Sequence, residues 1–164
     1  MCALTGKRCV SPPAPQAGFT IPELMVVAGI MAFAVAIAVP NYLRWNTTSQ
    51  LKQATTELQG ELSLARLSAM NRNRSVTVTL AIVNNRVTAT FIDGSGAQMM
   101  PPHTMLTLVN GVTGGPIVFS SLGVRVGGGA GNQLITLTNS QALTYSIAVT
   151  PAGKSPWCPR ATCP

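Results

Sequence analysis

The sequence predicts an α+β chain: one long amino-terminal helix, apolar then amphipathic, followed by an antiparallel β head. Three observations carry this expectation. Phe19 to Val39 reads FTIPELMVVAGIMAFAVAIAV, 21 residues with the single charge of Glu23. From Leu51 to Ala69, apolar residues recur every three or four positions. After residue 75 the period changes to two, with Val and Thr alternating.

The apolar run comes first. At ~1.5 Å per residue it spans roughly 30 Å as a helix, the thickness of a bilayer hydrocarbon core. A buried core helix can also be apolar all round, but few reach this length. Only 9% of the residues are charged, against roughly 25% in ordinary soluble domains. Lys7 and Arg8 precede the run, so the beginning has the basic-then-apolar order of a secretory signal. A signal is cut after its apolar stretch, at a small-residue site. Here Val39-Pro40-Asn41-Tyr42 follows the stretch, and the glycine, Gly18, stands before it.

The next segment is amphipathic. Leu51, Ala54, Leu58, Leu62, Ala65 and Ala69 form one stripe, while Lys52, Glu57, Glu61 and Arg66 fall on other faces. The helix is expected to run past Pro40, which removes one backbone bond and allows a kink, and to end near Arg72. Arg66 reads either as a functional contact or as a surface or cap residue. The head is expected to begin with a hairpin, Ser75–Val83 and Arg86–Ile92, turned at Asn84-Asn85. Residues 94–116 read as irregular with one short strand at Met105–Val109. Later strands are expected at Ile117–Phe119, Leu134–Thr138 and Leu143–Val149. Gly127–Gly131 reads as a flexible loop. No Gly-Lys-Ser/Thr follows it, so it is not a phosphate-binding loop. The expected divisions are 1–18, 19–40, 41–74 and 75–164.

The chemistry-bearing residues are few. The acids are Glu23, Glu57, Glu61 and Asp93, and the one histidine, His103, sits beside two prolines in an expected loop. Glu57 and Glu61 read as a solubilising pair, and no G-x-S-x-G motif occurs. No catalytic residues, cofactor or metal site are expected. Cys2 and Cys9 lie before the apolar run, while Cys158 and Cys163 lie near the other end. The latter pair fits a disulfide in an oxidising compartment; a zinc site would need four ligands. Eleven basic residues face four acidic ones, a net charge of +7. Such a surface could attract nucleic acid or anionic lipid, or be a solvated face with a basic bias.

Gly18-Phe19-Thr20-Ile21-Pro22-Glu23-Leu24-Met25-Val26-Val27, with Ala36-Ile37-Ala38-Val39-Pro40-Asn41-Tyr42 downstream, resembles the prepilin signature of type IV pilins and type II secretion pseudopilins. The stretch ELSLARLSAMNRNRSVTVTL resembles the GspH/FimT branch of minor pilins and pseudopilins. IVFSSLG, LITLTN and YSIAVTPAGK resemble the later part of that domain, although a tryptophan-containing segment expected mid-domain is absent. The resemblance implies a pilin-like fold. It implies that prepilin peptidase cuts between Gly18 and Phe19 and methylates the Phe19 amine. It implies a single-pass anchor in the bacterial inner membrane with a periplasmic head, later a filament core packed against other pilins or pseudopilins. An inner-membrane assembly platform is a further implied partner. Glu23 would pair with the terminal amine of a neighbour; a carboxylate inside a membrane span costs roughly 2.5–3.5 kcal/mol at its centre and persists when it has a partner. The alternative for Glu23 is a marker of the membrane interface. Some FimT-like proteins capture DNA with a basic terminal segment, and Lys154, Arg160 and Arg125 would be the corresponding contacts here. The match to that glycine-arginine segment is partial, since Ser155-Pro156 follows Gly153-Lys154.

Overall fold

The structure is a computed structural model and describes residues 18–107 and 109–163. Lys7, Arg8, Cys2 and Cys9 lie outside the described residues. Two compact units divide between Asn41 and Tyr42, within a helix, α1, that runs Ile21–Asn71 and includes Pro40.

In the first unit, the Glu23 carboxylate helps to cap the start of α1. Thr20 is the cap, its carbonyl accepting the Leu24 N–H at 3.1 Å. Glu23, three residues on, reaches back to accept the Thr20 N–H at 3.5 Å. Pro22 falls in the first turn, where a missing N–H costs nothing. Twelve large apolar side chains between Phe19 and Val39 are exposed. Each is worth ~1.5–3 kcal/mol when buried, so this stretch is stable only in an apolar surrounding.

In the second unit, α1 buries Leu51, Ala54, Thr55, Leu58, Leu62, Ala65 and Ala69, the predicted stripe plus one threonine. Thr55 satisfies its hydroxyl on the Leu51 carbonyl at 2.7 Å. The helix closes in a Schellman motif: Arg74 N–H donates to the Ala69 carbonyl and Asn73 N–H to the Met70 carbonyl. Asn73 takes the left-handed conformation at φ 50° in place of the usual glycine.

Nine strands follow among the described residues. β1 (Val76–Val83), β2 (Arg86–Asp93), β3 (Gln98–Thr104), β5 (Ile117–Phe119) and β6 (Arg125–Val126) form one antiparallel sheet in the order β3-β2-β1-β5-β6. β4 (Gly111–Thr113), β7 (Gln133–Thr138), β8 (Thr144–Val149) and β9 (Trp157–Cys158) form a second, in the order β4-β7-β8-β9. Asn84 and Asn85 both have positive φ, the primed turn that matches strand twist. The α1 stripe, Val76, Val78, Phe91, Phe119, Ile135, Leu137 and Ile147 make one core.

Two expectations are corrected. The strand within 94–116 is not Met105–Val109 but Gln98–Thr104, followed by the short β4. Pro101 and Pro102 conceal β3, because proline is excluded from central strands but accepted at a sheet edge, where β3 lies. Two-residue strands β6 and β9 are too short to show alternation. Gly127–Gly131 is not a free loop, for the reason given below.

Candidate functional site

The residues singled out in the sequence fall in four places. The first is the beginning of α1. Gly18 and Phe19 precede the helix and are exposed. Glu23 lies on its first turn, at the amino-terminal end where the helix dipole favours negative charge.

The second place joins α1 to β3. His103 is not in a loop but on the edge strand. Its Nε2 lies 2.7 Å from Glu57 Oε1 and its Nδ1 3.6 Å from Glu61 Oε1. The two glutamates are half-buried and clamp the histidine from successive helical turns, rather than only solubilising a surface. The hydrogen bond from Glu57, and then the charges of both glutamates, raise the His103 pKa above its ordinary value despite partial desolvation. Elsewhere in the head, Asp93 folds the β2–β3 turn. Its Oδ1 accepts from Ser95 Oγ at 2.6 Å, Ser95 N–H at 2.8 Å and Ala97 N–H at 2.9 Å. Its Oδ2 accepts from Arg74 Nη1 at 3.2 Å. The Ser95 hydroxyl first, then the Ala97 amide, hold the Asp93 pKa down at about 2.

The third place is the β6–β7 connection. Arg125 is buried, 6% exposed. Its guanidinium donates to the carbonyls of Gly127, Gly129 (3.0 Å) and Gly131 (2.6 Å). The glycine loop therefore wraps a cation with its own carbonyls. Gly128, at φ +71°, could not carry a side chain, since a Cβ would overlap the Arg125 Nη1. Arg125 was a candidate DNA contact; its burial and carbonyl shell remove it from that role.

The fourth place is the end of the chain. Cys158 and Cys163 are bonded, with Cα atoms 5.8 Å apart. The buried Ser146 hydroxyl sits 2.6 Å from the Arg160 carbonyl and 2.8 Å from that of Ala161, fastening the disulfide loop to β8. Trp157 stacks on Tyr145 at 5.8 Å between centroids, and Lys52 Nζ of α1 lies 5.8 Å from the Trp157 ring. Arg160 and Lys154 are exposed. Arg66, whose role was open, donates from Nε to the Gly123 carbonyl at 2.8 Å.

The comparisons agree with this anatomy. Residues 13–39 match the family model described as "Prokaryotic N-terminal methylation motif". Two curated proteins called "Fimbrial protein", from Pseudomonas aeruginosa, are each 26% identical over 156 residues, 91% of this chain and 97% of the relative. The crystal structure of the type IV minor pilin FimU of Pseudomonas aeruginosa (strain PAO1) superposes with a TM-score of 0.52. It covers 73% of this chain and 96% of FimU at 16% identity, and a second crystal form gives 0.50. The chain is similar to type IV pilins in its methylation motif and in its fold. The motif covers the beginning of this pilin-like chain, where Gly18, Phe19 and Glu23 stand. The FimU likeness shows the fold of a long helix on antiparallel sheets.

Proposed function

We propose that this pilin-like chain is a minor subunit of a type IV pilus or a type II secretion pseudopilus, of the GspH/FimT branch. Prepilin peptidase cuts it between Gly18 and Phe19 and methylates the Phe19 amine. The apolar part of α1 holds it in the inner membrane with the head in the periplasm, until the assembly platform passes it into the filament. There the apolar helices pack together and Glu23 neutralises the Phe19 amine of a neighbour. The observation that carries this reading is the division of labour along α1. From Leu51 onward its stripe is buried in the head, whereas the methylation-motif half exposes twelve large apolar side chains among the described residues. The carboxylate that holds the Thr20 amide at 3.5 Å can exchange that amide for the amine of a neighbour.

Processing and assembly are tested separately. Gly18→Ala, or a bulkier residue, blocks processing; a chain beginning at Phe19 in the mass spectrum of that variant would refute the cleavage site. Glu23→Ala leaves cleavage intact and lowers incorporation into sheared filaments, and normal incorporation would remove the pairing. DNA capture is the weaker reading. With Arg125 occupied, only Lys154 and Arg160 of the three candidates are exposed, and duplex binding is expected to be weak and lost with modest salt. Tight, salt-sensitive retention of duplex DNA, abolished in Lys154→Ala/Arg160→Ala, would reverse that order.

A further inference from the structure

A groove of about 540 Å³ runs along the head between the later turns of α1 and the β8–β9 loop. Leu67 and Met70 form its apolar side, Pro156 continues it, and Arg66 and Lys154 supply two cations. Leu67 is 49% and Met70 37% exposed, an apolar surface left open where α1 has no strand above it.

The cations are placed for an external anion. Arg66 is held by its Nε on the Gly123 carbonyl, so the guanidinium is fixed in direction and its two terminal nitrogens remain. Among the described residues, neither these nitrogens nor Lys154 Nζ has a carboxylate within ion-pair distance. The β8–β9 loop is held in register from below. Gly153, buried at φ +76°, packs so closely on Gly123 that a Cβ would overlap the Gly123 carbonyl. The Thr150 carbonyl accepts the Gly153 N–H, and the Thr150 N–H donates to the Lys154 carbonyl. A guanidinium with a free end-on edge takes a carboxylate in a forked pair, and an aliphatic neighbour of that carboxylate would rest on Leu67 and Met70.

The identity of the occupant follows from where the acids are. The head, residues 42–164, has nine basic and three acidic side chains. Glu57 and Glu61 are engaged by His103, and Asp93 by Arg74 and the β2–β3 turn. The fourth acid, Glu23, lies in the apolar span. A second copy of this chain therefore has little side-chain carboxylate to bring, since each acid of its head already lies beside a cation of its own. We infer that the groove docks a segment of a different filament subunit, one that carries Asp or Glu beside aliphatic side chains. Two like heads, both strongly basic, would repel at this face, so the site favours an unlike neighbour over self-association. This inference rests on the filament-subunit reading.

The test uses the full chain in detergent micelles and a short fluorescent peptide of alternating Leu and Asp. Peptides of Leu and Asn, and of Ser and Asp, and labelled duplex DNA serve as rival probes. The Leu/Asp peptide is expected to bind best. Lys154→Gln and Arg66→Gln should each weaken it about tenfold, the scale of one lost charge-assisted contact. Leu67→Ser should weaken it without changing its salt dependence. Lys154 is exposed, so its variant reports on the groove even if Arg66→Gln loosens the fold. Equal binding of the Leu/Asn peptide, stronger binding of DNA, or indifference to both Arg66→Gln and Lys154→Gln would each overturn the proposal. Cleavage at Gly18 and the Glu23→Ala phenotype are scored independently, so a failed groove leaves the subunit reading standing, and a failed subunit reading is visible in those assays.

Discussion

At the scale of single residues, the charges of this chain are mostly spent on its own architecture. His103 gives the head a dependence on pH with a definite sign. Its pKa is raised in the fold, so its contribution is complete below the unfolded value of about 6.5 and is lost as pH rises through the folded value. The thermal midpoint of the wild-type head should therefore fall as pH rises above the unfolded value of about 6.5, and His103→Gln should flatten that decline. Asp93 acts in the opposite direction. Its pKa is lowered to about 2, so its contribution is present above about pH 4 and disappears as pH drops toward 2. Asp93→Asn should reduce stability at neutral pH and shrink the loss on acidification, followed by circular dichroism. Arg125→Met should expose the glycine loop to protease, because the loop carbonyls lose the cation that organises them. Unchanged cleavage at residues 127–131 would show that the loop holds its shape without it.

Among the elements, α1 and the first hairpin were legible and the edges of the sheets were not. The stripe from Leu51 to Ala69 and the Val/Thr alternation of β1 and β2 are strong because each repeats several times and each faces the same core. Leu58, fully buried within that stripe, illustrates the cost of a gap: Leu58→Ala should destabilise the head by ~2–5 kcal/mol, measured by chemical denaturation. What escaped sequence reading is what depends on tertiary partners. β3 is interrupted by Pro101-Pro102, β6 and β9 have two residues each, and the wrapping of Arg125 depends on carbonyls, which no side-chain pattern encodes. The clamp on His103 links positions 46 residues apart, and neither residue type nor spacing announces it. The Cys158–Cys163 bond closes a short loop. In the chain-entropy model such a loop contributes about 2 kcal/mol, and the Cys158→Ser/Cys163→Ser variant should lose Trp157 packing, visible as a red shift of its fluorescence.

As a whole, the molecule combines a head with its own packed core and a span without one. The core, the turn around Asp93 and the loop around Arg125 close the head, whereas Phe19 to Val39 needs an apolar host. The full chain should stay monodisperse in micelles and sediment when detergent is diluted, and Glu23→Lys should not restore solubility, because one charge does not offset twelve exposed apolar side chains. The candidate site was legible where a short motif carries it, at Gly18, Phe19 and Glu23. The groove of Arg66 and Lys154 was not, because it brings together positions 88 apart in number and depends on which acids the fold has already occupied.

The sheet margins of the head carry a consequence for how such chains can associate. An open strand edge is a template on which another chain can extend the sheet, the route to uncontrolled fibres. Here β3 presents Pro101 and Pro102, β6 and β4 are two and three residues long, and β9 is tied off by the disulfide loop. None of these margins offers an unbroken run of donors and acceptors. Growth of a polymer through strand addition is thereby discouraged at these four borders.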